Sequence, residues 1–249
     1  MSEPRLRDTW VLRKREAYVL VAIYAAFTAV WFAVGWLLTR PLKNSWIVEN
    51  DQSISEWFAD HRTSTLNSLS YVGSMMADTL VKIVVTGLVA ATMLIVWKRW
   101  LEPLIVVVSL ILEALTFITV TTLVGRPRPD VPRLETSPVD SSYPSGHVAA
   151  AVAYSAIVVV LLWHTRRHWV RILLIAVGVI VPLCVGVARM HRGMHYFSDV
   201  ICGALLGVAS VIAVVTVLNN AADRGRAPET RERTAEARLT PVGSIPAEA

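Results

Sequence analysis

The chain has 249 residues, with 24 Lys and Arg against 19 Asp and Glu for a net charge of +5; 54% of the residues are hydrophobic, 17% are charged, and mean hydropathy is +0.51. A soluble domain of this length carries more charge, and the apolar residues here gather in runs of membrane-spanning length rather than at amphipathic spacing. That excludes an ordinary soluble globule. The positive charge does not point to nucleic acid either, because the basic residues sit beside apolar runs, where they set orientation and meet anionic headgroups.

In chain order, residues 1–16 are polar and basic, and a first span is predicted at 17–39. That run is longer than a signal h-region and no small-residue cleavage site follows it, so a membrane helix is expected rather than a removed leader. Residues 40–78 mix Trp46, Ile47, Ile54, Trp57 and Phe58 with Asp, Glu, Asn and Ser, a pattern that suits an amphipathic segment at the membrane surface. Further spans are predicted at 79–97, 101–124, 147–164, 170–188 and 197–218, with a proline- and arginine-rich loop at 125–146. The fold class expected is all-α, a polytopic bundle of six transmembrane helices. Residues 219–249 lack an apolar face and are expected to be a disordered tail. Cys184 and Cys202 lie inside apolar runs without metal-ligand spacing and are read as apolar packing.

Fifteen of the 24 Lys and Arg fall at the N-terminus, in the connections around residues 98 and 166 and in the tail; the other nine lie on the opposite side. By the positive-inside rule the first set is cytoplasmic, with both termini, and the second faces outward. Several outward arginines run against that rule, and anion binding would keep them there.

Three outward stretches carry candidate chemistry. Gly125-Arg126-Pro127-Arg128-Pro129 places two guanidiniums on a stiff loop, where they can grip phosphate oxygens bidentately or dock on lipid headgroups. Tyr143-Pro144-Ser145-Gly146-His147 stands directly before an apolar helical run. A helix N-terminus with unpaired N–H groups is an anion site, to which Ser145 adds a hydroxyl, Gly146 a close backbone approach and His147 a group that titrates near neutrality. Between the last two spans, Arg189 is followed by His195 and Asp199. On a helix His195 and Asp199 share a face, so the carboxylate could orient the imidazole as a nucleophile.

Together these stretches resemble the type 2 phosphatidic acid phosphatase (PAP2) superfamily, membrane lipid phosphatases related to vanadium haloperoxidases. That family's signatures are Lys-x6-Arg-Pro, Pro-Ser-Gly-His and Ser-Arg-x5-His-x3-Asp. The second is intact at Pro144–His147; the third is present as Arg189, His195 and Asp199, with Ala188 in place of its serine; the first keeps Arg128-Pro129 but has Thr121 where the lysine belongs. The resemblance implies that His195 attacks phosphorus and forms a phosphohistidine, that Asp199 orients it, and that His147 protonates the leaving oxygen. Arg128, Arg189, Ser145 and the Gly146 N–H would hold the phosphoryl oxygens. No metal or other cofactor is implied. Threonine carries no charge, so Arg126 or Lys82 is expected to replace the missing cation; Lys82 lies about 5 Å into its span by helix rise, and a plain Asp78–Lys82 pair is the competing expectation. Glu113 falls near the middle of a span, where it either pairs with another helix or is protonated.

The expected substrate is a lipid phosphate or diphosphate, with undecaprenyl diphosphate ahead of phosphatidic acid or phosphatidylglycerol phosphate, because an outward site in a small protein of this kind suits carrier-lipid recycling in a bacterial plasma membrane. Phosphoryl transfer to an acceptor other than water, and a non-catalytic lipid-binding protein, are the alternatives. Membrane lipids are the other partners expected, and no nucleic acid.

Overall fold

The computed structural model describes residues 13–137 and 139–239, the last fifteen of these for their main chain alone. In order, the helices are α1 (Lys14–Thr39), α2 (Trp46–Asp60), α3 (Ser64–Met75), α4 (Thr79–Trp97), α5 (Leu101–Val124), α6 (Gly146–Ala153), α7 (Ser155–His164), α8 (His168–His191) and α9 (Phe197–Leu239). Six stretches are long and apolar enough to cross a membrane: α1, α4, α5, α6 with α7, α8, and α9 as far as Arg224. They coincide with the six spans expected. The protein is an all-helical integral membrane protein.

Hydropathy alone does not arrange these helices, because lipid is as apolar as leucine and helices associate in it through close packing and polar contacts. Half of the α5 span is buried, against 6% for α1 and for α4, so α5 is the central post and α1, α4, α6 and α9 surround it. One core, around Ile105, Val106, Val160, Val214 and Leu218, lies toward one end, and a second, around Val120, Tyr143, Ala149 and Leu206, lies toward the other. Leu80, Ile83 and Leu88 of α4 and Ile172, Leu173 and Leu183 of α8 are exposed. In a membrane these side chains meet lipid, which removes the aggregation hazard such a surface would carry in water.

Two departures from expectation matter. The 40–78 segment, expected to be amphipathic, forms two helices, and α2 turns its polar stripe inward: Asp51 and Ser55 are buried while Trp46, Ile47 and Trp57 are exposed. The tail expected to be disordered from residue 219 continues α9 as helix to Leu239; its Ala, Arg and Glu content is strongly helix-forming and needs no apolar face to propagate a helix already nucleated. The remaining residues of that tail, and residues 1–12, lie outside the described ones.

The site end of the bundle is fixed by glycine. A Cβ at Gly203 would stand 2.4 Å from the Ser145 carbonyl oxygen, and one at Gly207 would stand 2.5 Å from that of Ala149. The small-xxx-small spacing on α9 therefore lets α6 lie directly on its backbone. Gly203→Ala is expected to force the two helices apart at a cost of about 1–3 kcal/mol. The thermal midpoint in detergent should fall accordingly, and the same substitution at Gly87, where nothing lies within 4 Å, should leave it unchanged.

Candidate active site

The loop between α5 and α6, the turn between α8 and α9, and the helices α2 and α3 are tied together at one end of the bundle. Leu134 N–H donates to the Arg192 carbonyl (3.1 Å) and Ser142 N–H to that of Arg126 (2.8 Å). Arg62, from the α2–α3 connection, donates to the carbonyls of His191 (3.0 Å) and Pro132 (2.7 Å). This arginine, at least, is held by backbone carbonyls rather than by an anion.

Ser145 caps α6, but its hydroxyl makes no capping bond to its own helix. The side chain is fully buried and its Oγ has no partner among the described residues. Gly146 is pressed against the Phe117 ring, where a Cβ would come within 2.7 Å. The first turn of α6 thus offers unspent N–H groups and a hydroxyl, with half-buried His147 beside them.

α8 ends at His191, and Gly193 at φ +71° reverses the chain, a conformation glycine adopts without strain. His195 follows in this turn, before α9 begins at Phe197, so it does not share a helix face with Asp199. Its Nδ1 lies 2.6 Å from the Ser142 carbonyl oxygen. A carbonyl only accepts, so Nδ1 carries the proton and Nε2 keeps its lone pair. Burial, and then the charges of Arg189, Arg128 and His147, hold the ring's pKa well below the usual histidine range. His195 is a neutral imidazole with one free nitrogen.

Asp199 does something other than orient that ring. One oxygen accepts from the Tyr196 N–H (2.9 Å), closing the start of α9 as the acidic half of a capping box, and the other accepts from Arg126 (2.5 Å). Arg126 also donates to Ser198 Oγ (2.7 Å) and to Asp51 of α2 (2.9 Å), and lies over the Tyr196 ring at 4.3 Å. Asp51 in turn accepts from the Ser198 N–H (2.9 Å) and bonds the Ser198 hydroxyl, adding a favourable negative charge at the N-terminus of α9. Burial alone would lower the pKa of Arg126, but the carboxylates of Asp199 and Asp51 outweigh it and raise it. The expectation that Arg126 serves as a phosphate ligand is therefore corrected: both of its terminal nitrogens are committed to a buried Asp51–Arg126–Asp199 network.

Arg128 and Arg189 are placed differently. Arg128 donates to the carbonyls of Met194 (2.5 Å) and Val139 (2.9 Å) and to Ser137 Oγ (2.9 Å). Burial, then the charges of Arg189 and Arg133, lower its pKa to about 10. Arg189 donates to Ser74 Oγ (2.6 Å) and forms a close ion pair with Glu135. The Nε atoms of both arginines are buried without a partner among the described residues. With Ser145 Oγ they make three orphaned donors at the end of the bundle that holds His195.

Thr121, standing where the resemblance wants a lysine, is buried, and its hydroxyl has no partner among the described residues. Asp78 spends its carboxylate on the Leu80 N–H (3.0 Å) at the start of α4, and among the described residues it forms no ion pair with Lys82. The charge of Lys82 instead acts on both His147 and Glu113. Glu113 itself is fully buried and neither of its oxygens has a hydrogen-bond partner among the described residues.

Asp51, Glu135 and Ser142 were not singled out from the sequence. Asp51 and Ser55 do form a polar stripe four residues apart, a signal that α2 buries its polar side. Nothing local distinguishes Glu135, and Ser142 acts through its backbone carbonyl, which every residue has.

A polytopic helical membrane protein with this polar end is the class the fold defines. Residues 102–223 match the PAP2 superfamily. It is 34% identical over 86 residues to the bacitracin transport permease protein BcrC of Bacillus licheniformis, covering 34% of this chain and 38% of that protein. It is 38% identical over 74 residues to an undecaprenyl-diphosphatase of Sulfolobus acidocaldarius, covering 30% of this chain and 32% of that one. The matches thus span about a third of the length of these curated relatives. Its fold is that of the transmembrane PAP2-type phosphatidylglycerolphosphate phosphatase from Bacillus subtilis, with a TM-score of 0.65 at 19% identity over 83% of this chain and 97% of that one.

Proposed function

We propose that the protein hydrolyses a lipid phosphate or diphosphate at the extracytoplasmic face of a bacterial plasma membrane, through a phosphohistidine. The observation that carries this is a buried, neutral His195 whose Nδ1 is tied to a carbonyl, with Nε2 left free among Arg128, Arg189 and His147.

In the first step Nε2 attacks the terminal phosphorus, its bond to the leaving oxygen (the lipid oxygen of a monophosphate, the bridging oxygen of a diphosphate) breaks, and His147 gives that oxygen a proton. In the second, His147 takes a proton from water, the hydroxyl oxygen attacks the phosphohistidine, and the P–N bond breaks to release phosphate. The Nε groups of Arg128 and Arg189, Ser145 Oγ and the Gly146 N–H bind the three equatorial oxygens, where charge must be stabilised. Asp199 and Asp51 act one step back, setting the turn that presents His195. Undecaprenyl diphosphate is the favoured substrate, supported by the relative that bears that activity in its name. The uneven Lys and Arg distribution favours cytoplasmic termini and an outward site.

The test is release of free phosphate from a panel of lipid phosphates by the purified protein in EDTA. Undecaprenyl diphosphate should be the best substrate. Label passing only to an added acceptor would mean a transferase, and no turnover of any lipid phosphate would end the proposal.

Lys82 supplies the cation that Thr121 cannot. Lys82→Met should lower kcat/KM about 10-fold, as expected for a lost charged contact of roughly 1.4 kcal/mol, while Lys82→Arg should keep most of it. Equal rates for all three proteins would leave the site without this cation.

A further inference from the structure

The cations at this end already hold an anion of the protein's own. Glu135, in the loop between α5 and α6, gives one carboxylate oxygen to Arg189 and the other to Arg192 Nε at 2.6 Å. Its negative charge is also felt at Arg128 and at His147. Burial would raise its pKa, but Arg189 and Arg192 outweigh burial and lower it, so it is ionised near neutral pH. The Arg189 side chain is only 3% exposed and that of Glu135 is 23% exposed, so the buried guanidinium is covered by a partly exposed carboxylate.

A bare pair of guanidiniums at a membrane surface has a problem of numbers. Phosphodiester headgroups, each with one negative charge, outnumber any phosphomonoester substrate, and they would fill such a site. A carboxylate already paired with the guanidiniums changes the competition. A diester offers the same single charge and gains little by displacing it, whereas a phosphomonoester or terminal diphosphate group brings up to about two charges and three acceptor oxygens. Discrimination of this kind comes from penalising the wrong ligand.

We propose that Glu135 is the specificity-determining residue of the site: its carboxylate occupies Arg189 and Arg192 as a stand-in anion, which terminal phosphate groups displace and phosphodiester headgroups do not. This rests on the phosphatase reading, since it takes Arg189 as a ligand of the transferred phosphate.

The experiment compares wild type with Glu135→Gln, which keeps shape and removes charge. Binding of inorganic phosphate is measured by calorimetry, and inhibition of turnover by phosphatidylglycerol is measured in mixed micelles. Glu135→Gln should bind inorganic phosphate about 10-fold more tightly and become sensitive to phosphatidylglycerol, to which wild type should be indifferent; a wild type equally inhibited by phosphatidylglycerol overturns the proposal. If Glu135 only braces the arginines, the variant will bind phosphate equally or more weakly and its KM will rise, which overturns the proposal. Glu135→Asp, too short to reach both guanidiniums at once, gives a second reading should the glutamine variant not fold: tighter phosphate binding supports the proposal and unchanged or weaker binding overturns it. A wild type that turns over no lipid phosphate sinks the phosphatase reading, whereas a wild type that turns over beside a Glu135→Gln protein with no gain sinks only the role of Glu135.

Discussion

Replacing His195 with alanine is expected to remove turnover, by a factor on the order of 10⁴ or more, while the bundle stays folded. The ring makes one hydrogen bond, to the Ser142 carbonyl, whose net worth to stability is about 1 kcal/mol. Its chemical worth is far larger, because the arginines and the α6 N-terminus can stabilise a transferring phosphoryl group only if a nucleophile stands in line with it. The pH profile follows the same logic. Burial and the neighbouring cations hold the ring neutral, so the nucleophilic form persists below pH 6.5 and is lost only as the pH falls through the lowered value. Phosphate release and acid-labile phosphate on the protein, measured together, check this. A His195→Ala protein that still carried such a label, or kept a tenth of the rate, would move the nucleophile elsewhere.

Arg126→Gln is expected to be the most damaging change to stability. Breaking a buried charge pair from one side typically costs about 3–5 kcal/mol, because the partner is left charged and unpaired in a low dielectric. Here two carboxylates would be stranded, Asp51 at 2% exposure and Asp199 at 0%. The contrast with a phosphate ligand is sharp: loss of a ligand raises KM with the fold intact, whereas loss of this clamp lowers the thermal midpoint and loosens α2 from α9. Thermal unfolding in detergent distinguishes the two. Adding Asp51→Asn to Arg126→Gln should recover part of the lost stability, since it removes one stranded charge. A variant with a normal midpoint and a raised KM would restore Arg126 to the list of phosphate ligands.

Arg126 shows where sequence reasoning stops. Arg126 and Arg128 are equivalent on paper, two guanidiniums separated by a proline on one loop. They differ because Asp51 and Asp199, both far away in the chain, meet Arg126 and not Arg128. The spacing of His195 and Asp199 misleads for a related reason. Four residues apart means one face only inside a helix, and the turn at Gly193 delays α9 until Phe197. The group that orients His195 is consequently a carbonyl, which has no sequence signature.

By itself the sequence determined the six spans, the polar end expected to face outward and the order of the phosphate-type motifs. Each of these is a local property: an apolar run long enough for a bilayer, a charge beside it, a proline, serine and glycine before a helix. Only the tertiary structure decided which charges pair with one another, that Arg126 braces the fold while Arg128 and Arg189 retain unspent donors, and that Glu135 covers the arginines. In a low-dielectric interior a charge must find a partner or be neutralised, and the partner is chosen by which helices touch.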